Sequence, residues 1–288
     1  MMTAAAASAG AGGVEAAPLR RAIPSSKEAL PVIGLGTWQT FDVGGGAERA
    51  PLRQVLRRFA ALGGRVVDSS PMYGRAETVV GELAAEDRLR DSLFLATKVW
   101  TRGQAAGVAQ MEASLRHFRT RVLDLIQVHN LVDWRTHLTT LREWKQAGRV
   151  RYLGVTHYTA SAYGELEQVM KGEPLDFVQL NYSVAEREAE RRLLPLAAER
   201  GVAVLVNRPF AEGALMRRVR GRPVPAWASE LGCTSWAQLF LKWIVAQPAV
   251  TCVIPATSRP EHLEDNMRAG VGPLPDAAAR ERIATAAA

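Results

Sequence analysis

Cysteine is scarce: only Cys233 and Cys252 occur, and neither sits in a CxxC pair or a Cys/His cluster. A disulfide framework and a structural zinc site are therefore not indicated, and a reducing, cytoplasmic setting is the expectation. No apolar run approaches the roughly 20 residues needed to span a bilayer, so no membrane partner is expected. The first 18 residues are rich in Ala and Gly but lack a basic n-region and a leucine-rich h-region, so they read as a disordered tail rather than a signal peptide. No internal repeat or low-complexity linker divides the remainder, which predicts one domain over 19–288.

Charge is not gathered into an arm either. The formal net charge is +7, but the basic residues are spread along the chain, and no nucleic-acid motif or aromatic–basic platform accompanies them. The densest run, Arg217, Arg218, Arg220 and Arg222, is either a phosphate-binding patch or a solvated face. The balance is compatible with an anionic cofactor and excludes little else.

What is present is a rhythm. Strand-like runs fall at Val32 to Trp38, Arg65 to Ser69, Leu93 to Val99, Leu123 to His129, Val150 to Thr156, Phe177 to Asn181, Val202 to Asn207 and Thr251 to Pro255. Amphipathic stretches lie between them, among them Pro51 to Leu62, Gln110 to Arg119, Trp134 to Ala147, Ser161 to Met170, Glu190 to Arg200 and Ser235 to Ala246. Eight strand–helix units in 288 residues predict an α/β fold, a (β/α)8 TIM barrel with a parallel eight-stranded sheet. A short hairpin over Ala22 to Leu30 would plug its bottom, and a C-terminal helix from about Asp276 would be an appendage.

Active-site groups of such barrels sit at the carboxyl ends of strands. Asp68 is near the end of the second run, Tyr73 follows in the next loop, Lys98 ends the third and His129 the fourth. Singly, each is ordinary: a strand-end Asp is usually a cap, a buried Lys–Asp pair is often structural, and a lone Tyr or His mostly packs. Together they permit a reaction. A tyrosine titrates near 10, and an adjacent ammonium is expected to lower that value. Lys98 would supply the ammonium, Asp68 would hold it charged, and His129 would polarise a carbonyl. None of these groups donates hydride, so a nicotinamide cofactor is required.

Eight segments carry a resemblance to the aldo-keto reductase superfamily: GLGTWQ from Gly34, Asp68 with SSPMYG directly after it, TKVW from Thr97, QVHN from Gln127, GVTHY from Gly154, QLNYS from Gln179, RPFAEGAL from Arg208 and IPATSRPEHLEDN from Ile254. The resemblance implies metal-free, NAD(P)H-dependent reduction of aldehydes and ketones, with Tyr73 as proton donor and Asp68, Lys98 and His129 as its partners. It implies a cofactor site drawn from Gly36, Thr37, Trp38, Asp68, Thr156, His157, Gln179, Asn207, Arg208, Pro209 and Phe210. Thr257, Ser258, Arg259, Asp265 and Asn266 would receive the adenosine end. Gln179, Thr156 and His157 would meet the carboxamide. Two positions depart from the pattern: His157 stands where Asn is commoner, and Asn207 stands where many members stack an aromatic ring on the nicotinamide. NADPH is expected as cofactor, with NADH possible, because Arg259 can pair with a 2′-phosphate.

Trp38, Trp100 and Asn130 would line the substrate pocket, giving an apolar mouth for a small-molecule carbonyl. The short stretch beyond Asn266 predicts no long pocket-covering loop, and a monomer is the default assembly. Competing readings are a metal-dependent barrel hydrolase using Asp68 and His129, which lacks the paired strand histidines usual in such barrels, a nucleotide-sensing subunit without turnover, and a nucleic-acid binder raised by charge alone.

Overall fold

Runs of Val, Leu and Ile bounded by Gly, Pro or charged residues become strands in the computed structural model, which describes residues 17–288. Residues 1–16 of the expected tail lie outside the described part. A hairpin comes first: β1 (Arg20–Ala22) pairs antiparallel with β2 (Ala29–Pro31). It lies slightly outside the expected Ala22 to Leu30, because those residues form the turn and its inner edges. Eight parallel strands follow: β3 (Leu35–Gly36), β4 (Val66–Asp68), β5 (Phe94–Val99), β6 (Leu123–His129), β7 (Val150–Thr156), β8 (Phe177–Asn181), β9 (Ala203–Asn207) and β10 (Val250–Val253). Each pairs with its sequence neighbour in unbroken order.

Single bridges from Ile33 to Val253 and from Gly36 to Ala256 join the first strand to the last and bring the sheet round into a barrel. This seam explains why β3 is much shorter than the Val32 to Trp38 run. Backbone N–H groups there alternate between the two sides, Gly34 and Gly36 donating to Val253 and Pro255 while Thr37 donates to Asp68. The seam also demands glycine at 36: a β-carbon there would stand 2.8 Å from the Ile254 carbonyl oxygen.

The helices are α1 (Arg49–Ala61), α2 (Ala76–Glu86), α3 (Gln104–His117), α4 (Trp134–Gln146), α5 (Tyr163–Gly172), α6 (Leu193–Arg200), α7 (Ala214–Arg218), α8 (Trp236–Val245), α9 (Pro260–Arg268) and α10 (Ala277–Ala287). Local chemistry sets several of their ends. Ser235 caps α8 by accepting from the Gln238 amide, Asp276 caps α10 through Ala279, Pro260 opens α9, and Gly201 ends α6 in the left-handed conformation. Arg222 donates to the Ala286 and Ala288 carbonyls, and Arg218 reaches Ala287, so part of the basic run is committed to the C-terminal end of α10.

Two apolar layers result. One fills the space between the sheet and the helices. The other is the barrel interior, built by alternate residues such as Val66, Phe94, Ala96, Leu125, Tyr152, Phe177, Leu205 and Cys252. Ile23 and Leu30 of the hairpin, both fully buried, belong to this inner layer and close it from below. Each such aliphatic side chain contributes about 1.5–3 kcal/mol on burial. The same alternation, continued upward, turns polar: Leu125 is followed on its face by Gln127 and His129, and Phe94 and Ala96 by Lys98.

Candidate active site

The parallel register stacks these polar side chains into one tier. Lys98 lies opposite Gln127, His129 opposite Thr156, and Thr156 opposite Gln179. Asp68 ends β4 one step away, opposite Ala96. Lys98 is wholly buried, and its ammonium donates to Asp68 Oδ2 at 2.6 Å and to the Ser69 carbonyl at 2.7 Å. The other Asp68 oxygen, Oδ1, accepts from Gln179 Nε2 at 2.9 Å and Gln127 Nε2 at 3.3 Å. The carboxylate is thus held by donors from three different strands, one of them charged.

Tyr73 reaches the same spot from the loop after β4, with Lys98 Nζ 5.1 Å from its ring centroid. His129 stands edge-on to the phenol, ring centroids 6.0 Å apart. Burial pushes the Tyr73 hydroxyl above the ordinary tyrosine value; the Lys98 charge pulls the other way and does not win. The expected net lowering is therefore corrected: desolvation in this recess exceeds the ion attraction, and the phenol is protonated at neutral pH. Burial is the largest single influence on Lys98 and works against its charge, but Asp68 and Tyr73 together outweigh it and the ammonium is held above the usual lysine value. His129 is lowered to about 2, first by burial and then by the Lys98 charge, so its imidazole is neutral.

Above this tier opens a cavity of about 730 Å³. Of the residues expected in the site, Gly36, Thr37, Trp38, Asp68, Tyr73, Trp100, His129, Asn130, Thr156, Gln179, Asn207, Arg208, Pro209 and Phe210 line it. Lys98 sits beneath the floor. Thr37 spends its hydroxyl on the Asp68 carbonyl and Ser69 Oγ. Asn207 Nδ2 donates to Gln179 Oε1 at 3.3 Å, as does Thr156 Oγ1.

The structure does not bring the remaining expected residues to that lining. His157 turns its ring to its own loop: Nδ1 accepts from the Tyr158 and Thr159 amides, and the ring stacks on Tyr158. Thr257 accepts from the Arg259 amide at the start of α9. Arg259 is exposed and paired with Glu261. Asp265 is engaged with Ser235 Oγ and Gln238 Nε2, both at 2.6 Å, and so ties α9 to the start of α8. Ser258 lies between Thr257 and Arg259, and Asn266 is buried on α9.

Several residues of the site have no role in the reading from sequence. Gln127 grips Asp68, Ser70 Oγ lies 3.2 Å from His129 Nδ1, and Met72, Tyr158, Glu212 and Gly213 border the cavity. Gln127 carries a usable signal, since it lies two residues before His129 and so on the same strand face. Ser70 carries none, because its partner is 59 residues away.

A model of the aldo/keto reductase family matches residues 32–282. Methylglyoxal reductase YeaE of Escherichia coli K12 is 29% identical over 251 residues, covering 84% of this chain and 86% of that relative. Aldo-keto reductase YhdN of Bacillus subtilis 168 is 30% identical over 199 residues, covering 64% of this chain and 59% of that relative. The crystal structure of an aldo-keto reductase from Klebsiella pneumoniae in complex with NADPH has a TM-score of 0.77 and 27% identity, and the match covers 90% of this chain and 92% of that one.

Proposed function

This chain belongs to the aldo/keto reductase family, and from that premise we propose that it reduces aldehydes and ketones to alcohols with NADPH, Tyr73 giving the proton. One observation carries the reading: a protonated phenol and a neutral imidazole face a single cavity over a buried ammonium–carboxylate pair.

The residues fit the dinucleotide. The cavity is of ligand size, and Asn207, on its wall, carries a buried Oδ1 with no hydrogen-bond partner among the described residues. An orphaned buried acceptor is destabilising, and the amide hydrogens of a carboxamide would relieve it. Thr156, Gln179 and Asn207 would hold that carboxamide, while the Arg208 to Gly213 loop and the start of α9, with Thr257, Ser258 and Arg259, would receive the phosphates. Arg259 already has Glu261 as partner, so a 2′-phosphate would compete with a carboxylate, and the preference for NADPH over NADH is expected to be moderate.

When bound, NADPH supplies the hydride for the carbonyl carbon. Tyr73 then passes its proton to the carbonyl oxygen as negative charge gathers there. The Lys98 ammonium lowers the cost of the phenolate left behind, and Asp68 keeps that ammonium charged and aimed. His129, uncharged, hydrogen-bonds the carbonyl oxygen from the other side and sets its position. Trp38, Met72, Trp100 and Tyr158, all between 41% and 45% exposed, form an apolar rim that suits uncharged carbonyl compounds. The YeaE relative makes small 2-oxoaldehydes the first compounds to try. Both thiols are buried and unpaired, which suits a reducing cytoplasm.

NADPH oxidation over a panel of aldehydes, ketones and keto acids tests this, run beside Tyr73→Phe. That variant should lose on the order of 10²–10⁴-fold in kcat while its cofactor Kd is retained. A wild-type protein that binds NADPH yet oxidises it with no carbonyl would instead be a nucleotide-sensing subunit.

A further inference from the structure

Ser70 follows Asp68 by two residues and is wholly buried. Two groups lie within hydrogen-bonding distance of its hydroxyl oxygen: the Met72 amide, which donates to it at 3.3 Å, and His129 Nδ1 at 3.2 Å. The amide is only a donor, so Nδ1 is the one acceptor in reach of the Ser70 hydrogen among the described residues. If Nδ1 carried a proton, two N–H groups would converge on one oxygen and the hydroxyl hydrogen would be stranded in the interior. Stranding a buried donor biases the tautomer populations by at least about fivefold. His129 itself is uncharged, so one ring nitrogen is bare and the other protonated.

The second ring nitrogen, Nε2, makes no hydrogen bond to any described residue, and the ring borders the cavity between Tyr73 and Trp100. We propose that Ser70 is a positioning residue: it donates to Nδ1 and so locks His129 in the tautomer that presents an N–H from Nε2 to the cavity. What that N–H then does rests on the reductase reading, where it meets the substrate carbonyl oxygen beside the Tyr73 hydroxyl. The opposite tautomer would turn a lone pair toward that oxygen and repel it.

Imidazole nitrogen NMR of histidine-¹⁵N-labelled protein tests the assignment without any turnover, with His129 identified by the signal lost in His129→Gln. The expected spectrum shows a protonated Nε2 and a bare, hydrogen-bonded Nδ1. In Ser70→Ala the Nδ1 resonance should move or the two tautomers mix, and Ser70→Thr should restore the wild-type pattern. With an active carbonyl substrate, Ser70→Ala should lower kcat/KM about tenfold at unchanged NADPH Kd, and Ser70→Thr should recover most of it. A wild-type proton on Nδ1, or an Nδ1 resonance identical in wild type and Ser70→Ala, would overturn the proposal. The wild-type spectrum suffices should Ser70→Ala not fold. Failure of every carbonyl to oxidise NADPH would instead strike the reductase reading and leave the tautomer result standing.

Discussion

Replacing Lys98 by methionine keeps the length of the side chain and removes its charge from a place that water does not reach. Asp68, 3% exposed, would keep the amide bonds from Gln179 at 2.9 Å and Gln127 at 3.3 Å but lose the ammonium at 2.6 Å. Breaking a buried ion pair on one side costs about 3–5 kcal/mol, and the two remaining donors place this case at the lower end, about 3 kcal/mol. At about 2 °C per kcal/mol, fitting for a large domain, the melting temperature should fall by about 6 °C. Thermal unfolding followed by circular dichroism, for Lys98→Met, Asp68→Asn and the double variant, measures this as a double-mutant cycle. The double variant should recover most of the loss. Single variants melting within a degree of wild type, with no coupling, would refute the view that the pair is a mutually dependent charged unit.

Three other outcomes follow from particular contacts. Asn207→Leu should weaken NADPH binding about tenfold by tryptophan fluorescence titration, and a cofactor analogue bearing an acetyl group in place of the carboxamide should bind both proteins alike. Glu77, buried on α2, holds His117 Nδ1 at 3.2 Å, and that hydrogen bond raises the histidine above its ordinary value. A raised folded-state value means the stabilisation is fully present below about pH 6.5 and is lost as pH climbs through the raised value. Urea midpoints taken at about pH 6 and pH 9 should show this loss in wild type and a smaller one in His117→Gln. Leu30→Ala, which opens the fully buried plug of the barrel, should cost about 2–5 kcal/mol in denaturant titrations, and a loss under about 1 kcal/mol would show that the hairpin does not seal the interior.

The amino-acid order alone determined the barrel and the placing of Asp68, Lys98 and His129 at strand ends. Strand alternation and the spacing of strand–helix units are local patterns, and β6, β7 and β8 have the bounds read from the sequence. The four polar groups are legible for the same reason, since a parallel barrel presents every strand end to one rim. Tertiary structure decided the rest. The shortened β3 depends on a seam with β10, the turn of His157 onto its own loop follows from how that loop closes, and the raised Tyr73 value reflects a balance of desolvation against a charge brought in from another strand. Ser70 beside His129, and Asp265 spent on binding α9 to α8, are likewise pairings between distant residues. Hydrogen-bond partners and burial are properties of the assembled neighbourhood, and a residue's position in the chain does not encode which distant atom will stand about 3 Å from it.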